Sequence, residues 1–148
     1  MMCGGMISMR MAAGSVVVAA LASISAMAQS LDFETYRTRV EPIFLQKRAG
    51  HARCIACHEA SNSAFRLQPL SPGSTTWTEE QSRRNFENVS RLVVPGKPEA
   101  SRLLIHPLSP EAGGDKFHSG GRQFASQNDP DWKTIAAWVQ QSKAVAAR

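Results

Sequence analysis

The sequence predicts an all-α fold, a single small helical domain. Three observations carry this. Apolar residues recur at spacings of three to four in the longer segments after residue 30. Residues that start and stop helices bracket those segments. No stretch alternates apolar and polar residues as a half-buried strand does. At 148 residues the chain is one domain's worth, without an internal repeat or a second boundary.

Residues 1–28 read as an export signal rather than as part of the fold. Arg10 supplies a short positive region, Met11 to Ile24 is apolar or small, and Ala26-Met27-Ala28 is an A-x-A cleavage pattern. The apolar run is short and rich in Ala, Ser and Gly for a membrane span of about 20 residues; an uncleaved anchor is the alternative. There is no twin-arginine pair, so the signal is of the Sec type. Cys3 precedes the apolar run and leaves with it. The mature domain is then residues 29–148, with 16 Lys+Arg against 12 Asp+Glu. This modest, dispersed excess does not point to nucleic acid.

Within the mature domain, Leu31 to Leu45 reads as the first helix. Phe33, Tyr36, Val40 and Phe44 form one apolar face, and Pro42 predicts a kink or restart. Arg53 to Glu59 is short and helix-compatible. Ser61 to Ser74 reads as loop, broken by Pro69, Pro72 and Gly73. A helix is predicted from Trp77 to Val93, capped by Thr76 with Glu79 three residues on, its inner stripe being Phe86, Val89 and Val93. Val94-Pro95-Gly96-Lys97 is a turn. Pro98 opens the next segment, and Ser101 to Ile105 is a short helix ended by Pro107. Pro110 to Gln127 is a long loop with glycines at 113, 114, 120 and 121. Asp129 caps the last helix with Pro130 at its first position. Trp132, Ile135 and Val139 share its inner face and Trp138 flanks it.

Cys54-Ile55-Ala56-Cys57-His58 is C-x-x-C-H, the attachment signature of haem c. Residues three apart on a helical turn share a face, so Cys54 and Cys57 can each form a thioether to one vinyl group of a single haem. His58 then projects under the ring as proximal iron ligand. The competing readings are a thioredoxin-type disulfide, which goes with a strand–helix sheet pattern not visible here, and half of a zinc site, which needs four ligands.

With this motif in view, the mature chain resembles a single-haem c-type cytochrome domain, planctomycete-type and class I-like. The resemblance spans nearly all of it. Phe33…Tyr36…Val40-Glu41-Pro42-Ile43-Phe44 is similar to the opening helix of that family. Val94-Pro95-Gly96-Lys97-Pro98-Glu99-Ala100-Ser101-Arg102-Leu103 resembles the stretch before its distal loop, and Ile135…Trp138-Val139 its closing helix. The resemblance implies a cytochrome c-like helical fold around one covalently attached haem and its iron, with the long Gly-rich segment as distal loop. Many family members place a methionine there as sixth ligand. This chain departs from the pattern, because its methionines stop at Met27.

The place where the family implies a distal ligand holds His118, 60 residues after His58 and 11 before Asp129. Gly120 and Gly121 follow and let the backbone approach the haem face. The expected iron ligands are therefore His58 and His118, with Cys54 and Cys57 holding the haem. His106, His51, a lysine or an open site are the alternatives. Lys47, Arg48 and Arg53 are a candidate basic rim for acidic redox partners, against a solvated helix end. Arg102 and Arg122 are candidates for the haem propionates. The expected function is that of an exported electron carrier, periplasmic or secreted, with no catalytic residue. It exchanges single electrons with other redox proteins and keeps no membrane span after cleavage. The alternatives are a haem c protein with an open or labile sixth site, peroxidase-like or gas-binding, and a non-haem domain built on a disulfide.

Overall fold

The computed structural model describes residues 28–59, 61–141 and 143–145. Of the predicted export signal, only Ala28 falls within them. The described chain is mostly helical, as expected from the periodicity.

The first helical stretch runs in three pieces: α1 (Phe33–Thr35), a π-helical turn (Tyr36–Val40) and α2 (Glu41–Leu45). Asp32 caps it, its carboxylate accepting from Thr35 N at 2.7 Å. Pro42 explains the wider turn. A proline has no N–H to return to the carbonyl four residues back. The wider turn, closed by Glu41 N–H donating to Tyr36 O, carries the rod past it. The expected interruption is therefore a local re-registration.

The C-x-x-C-H residues form α3 (Cys54–His58). Next comes α4 (Glu79–Ser90), whose cap differs from the sequence expectation. Thr78, not Thr76, accepts from Gln81 N, and the Gln81 side chain accepts from Thr78 N, a complete capping box. The shift has a tertiary cause: Trp77 is buried just ahead of the helix, its Nε1 donating to Gln68 O at 2.7 Å. The inner face of α4 also differs. Ser82, Asn85 and Val89 are buried, while Phe86 is only partly so.

A short 3-10 turn (Pro98–Ala100) precedes α5 (Arg102–Ile105), and a second (Pro110–Ala112) opens the long loop. That loop is pinned at both edges, with Ser109 N donating to Phe124 O at 2.9 Å and Phe124 N to Pro107 O at 3.2 Å. The last helix, α6 (Pro130–Gln140), starts as its sequence requires, Asp129 Oδ1 accepting from Asp131 N and Trp132 N. Trp138 is more central than a flanking residue. It is 1% exposed and donates its Nε1 to Asp32 O, tying the two ends of the fold together.

One feature departs from the strand-free expectation. Ala28–Ser30 (β1) and Lys143–Val145 (β2) pair as a short antiparallel ribbon. Three residues are too few to show a period of two in sequence. Between these elements Tyr36 anchors an aromatic core, 5.3 Å from the Phe86 ring and 5.5 Å from Trp138. Beside it lies a buried polar knot: Glu41 accepts from Ser82 Oγ at 2.6 Å, from Asn85 Nδ2 at 3.3 Å and from Tyr36 OH at 3.5 Å.

Candidate haem-binding cleft

Burial of Ile55, at 3% exposure, seats α3 on the core. The i, i+3 spacing then turns both cysteines to one side, and Cys54, Cys57 and His58 all line a single open cleft. It holds about 1100 Å³ of empty space counted out to its mouth. Ile43 and Phe44 from α2, Leu103 from α5 and Ile135 from α6 give it apolar walls. The far side comes from the loop before α6, including His118. Thus Cys54, Cys57, His58 and His118 are brought together by the fold, and His106 joins them. His51 does not line the cleft.

The three imidazoles of the cleft share one arrangement: Nδ1 is tied to an oxygen. His58 Nδ1 lies 2.8 Å from Phe65 O. His118 Nδ1 is bound to Gly121 O, and His106 Nδ1 is 2.7 Å from Asp115 Oδ2. A backbone carbonyl only accepts, so Nδ1 of His58 and of His118 carries the proton. In the neutral ring this leaves Nε2 with its lone pair free to bind a metal. Burial holds the His58 imidazole below its ordinary pKa, and charge on His118 or His106 would push the same way. The ring is therefore neutral at neutral pH. His58 and His118 lie 6.2 Å apart, centre to centre, with planes 23° apart, and His106 meets His118 edge to face at 4.9 Å.

Gly121 builds the distal half of this geometry. Its backbone is left-handed, with φ 79°, and its N–H donates to His118 O at 3.0 Å. The resulting turn brings the Gly121 carbonyl back to His118 Nδ1. The glycine thus supplies a hydrogen-bond acceptor as well as room.

Both cysteines are free thiols, Cys57 exposed and Cys54 half-buried. Burial pushes the Cys54 thiol up to about 11. This runs against a thioredoxin-type exchange centre, whose attacking thiol is held low. Among the described residues, no three His, Cys, Asp or Glu side chains are grouped to hold a bare metal ion. The zinc alternative therefore lacks its ligand set within these residues.

Two basic residues expected at the rim have other work. Arg48 is only 17% exposed and forms ion pairs with both Asp129 and Asp131, its guanidinium lying 5.0 Å over the Phe124 ring. It clamps the end of α2 to the start of α6. Lys47 donates to His51 O at 2.8 Å. Arg122 does not line the cleft and donates to His106 O at 3.3 Å. Arg53 and Arg102 do line it, and among the described residues no carboxylate does.

Sequence reasoning missed Phe65, Ser63 and Asp115. The first acts through a backbone carbonyl, which has no residue signature. The other two gain their roles only from where the chain folds. No helix among the described residues is long and apolar enough to cross a membrane. No family model, curated protein or solved structure matches the chain.

Proposed function

We propose that this protein is an exported single-haem c-type cytochrome that carries electrons one at a time between redox proteins. The observation that carries the reading is the His58–His118 pair. Metal–nitrogen bonds of about 2 Å, plus about 1 Å from each nitrogen to its ring centre, place two imidazoles on opposite sides of one ion about 6 Å apart. The 6.2 Å separation meets this, and the ring contacts of His58 are with Phe65 and His118 rather than His106.

The rest of the cleft fits the same group. A porphyrin brings four ligands of its own, so the protein needs to supply only two, and the lack of a three-residue cluster is no obstacle. Cys54 and Cys57 are the attachment points, His58 the proximal ligand and His118 the distal one. Bound haem supplies a one-electron iron couple. The chain's residues hold it edge and face. The apolar walls keep water off the ring. The Phe65 and Gly121 carbonyls hold the two imidazoles in the metal-binding tautomer. Arg53 and Arg102 replace the Arg102–Arg122 pair as partners for the propionates. With His58 and His118 both holding the iron, the bound group would have no open position for a substrate, which would favour outer-sphere electron transfer. The potential lies below that of a His/Met relative in a similar pocket. The export-signal pattern at the N-terminus, Arg10, the apolar run and Ala26-Met27-Ala28, supports a periplasmic or secreted location.

The test is an optical spectrum of the full chain matured with haem-attachment machinery. Haem that stays attached on denaturation, with sharp ferrous α and β bands and no ferric high-spin band, is expected. His118→Ala turns the ferric iron high-spin. Rapid carbon monoxide binding by the wild type at neutral pH would instead select the open-site alternative, and the absence of covalent haem would select a non-haem domain.

A further inference from the structure

The carbonyl that orients His58 is shared. Phe65 O accepts from His58 Nδ1 at 2.8 Å and from Ser63 Oγ, also at 2.8 Å. Ser63 Oγ itself stands 3.2 Å from His58 Nδ1 and 2.8 Å from Ser61 Oγ. Because the Ser63 proton is spent on the carbonyl, Ser61 is the donor in the hydroxyl pair. The order of donation is thus Ser61 to Ser63 to Phe65 O, with His58 donating to the same oxygen from the other side. Were Nδ1 unprotonated, its lone pair would face the carbonyl oxygen at 2.8 Å, a repulsive arrangement, so the protonated form of Nδ1 is the one these distances select.

We propose that Ser63 is a positioning residue that sets the electron-donating strength of His58 by competing with it for the Phe65 carbonyl. The proposal rests on the haem reading above. A carbonyl that already accepts from one hydroxyl attracts a second donor less. His58 Nδ1–H is therefore held less strongly than it would be alone, and its Nε2 is a weaker donor to iron. Removing the hydroxyl leaves the carbonyl to His58. The imidazole gains basicity, the oxidised metal is favoured, and the reduction potential falls. The direct Ser63 Oγ to Nδ1 approach, at 3.2 Å, is the longer arm and does not set the sign. Ser61 acts in the same direction at one remove, since a hydroxyl that accepts a hydrogen bond donates its own more strongly. Ser63 is exposed and outside any helix, so its hydroxyl can be removed without opening a cavity.

The experiment compares wild type, Ser63→Ala, Ser63→Thr and Ser61→Ala, each as the full chain with haem attached, by redox titration and by the 15N shift of His58 Nδ1. The expected midpoint potentials run lowest in Ser63→Ala and intermediate in Ser61→Ala. Ser63→Thr, which keeps the hydroxyl, matches wild type. All stay low-spin, and the Nδ1 shift moves with the potential. An unchanged or raised potential in Ser63→Ala, with haem attached and the spectrum intact, overturns the role of Ser63 and leaves the cytochrome reading standing. A wild type that carries no covalent haem overturns that reading, and this proposal with it.

Discussion

His58 and His118 are 60 residues apart in the chain and 6.2 Å apart in the fold. His106 shares their cleft, but its Nδ1 is held by the carboxylate of Asp115 and its ring meets His118 rather than His58. His106→Ala is therefore expected to leave the ferric spectrum low-spin while His118→Ala does not. Optical and electron paramagnetic resonance spectra of the two variants check this. A high-spin His106→Ala beside a low-spin His118→Ala would reverse the assignment.

Gly114 tests how firmly the distal segment is built. A Cβ at this position would lie 2.0 Å from Leu108 O, a contact that only backbone movement relieves. Gly114→Ala is expected to loosen the loop and lower stability by about 2 kcal/mol or more, in the range of strained or overpacked sites. At Gly120 the added carbon meets only the His118 ring, Cε1 at 3.4 Å and Nδ1 at 3.8 Å. Gly120→Ala therefore keeps the fold. Urea unfolding of both variants gives the comparison.

Arg48 joins two elements that are far apart in sequence through Asp129 and Asp131. It is not fully buried, so the cost of removing it falls below that of a wholly desolvated pair. We expect Arg48→Ala to cost about 2 kcal/mol. Arg48→Lys recovers less than half of this, because an ammonium cannot bridge two carboxylates as a planar guanidinium does. Denaturant midpoints at low and moderate salt measure both.

Glu41 links stability to pH. Its pKa is raised above the ordinary 4.5 by burial, against hydrogen bonds from Ser82, Asn85 and Tyr36 and the charge of Arg37. An acid with a higher pKa folded than unfolded holds more protons in the folded state between the two values, so stability falls as pH rises through that window. Below pH 4.5 both states are protonated and the contribution is fully present; above the folded pKa it is lost. The stability of wild type relative to Glu41→Gln should therefore be greatest in acid and decline from about pH 4.5 upward. Paired urea titrations between about pH 4 and 8 test this, and a difference that rises with pH would contradict it.

The cap of α4 separates a local pattern from its tertiary selection. Thr76 and Thr78 each have an acidic or amide residue three positions on, Glu79 and Gln81. Thr78→Ala should cost about 1 kcal/mol and Thr76→Ala less than about 0.5. Thermal unfolding of the two variants decides between them.

By itself the sequence determined what is encoded within one or two helical turns. The i, i+3 cysteines with an adjacent histidine need only the local geometry of α3. The Asp129-Pro130 start of α6 needs only its own backbone. These features survive folding because the groups involved are neighbours along the chain. The tertiary structure decided whatever depends on groups far apart in sequence. It selected Thr78 over Thr76 by burying Trp77, and it drew Arg48 out of the solvent rim onto Asp129 and Asp131. It paired His118 rather than His106 with His58, and it presented the Phe65 carbonyl to His58 Nδ1. A carbonyl has no side-chain identity and an ion pair has no periodicity. No pattern in the sequence announces either until the chain has closed.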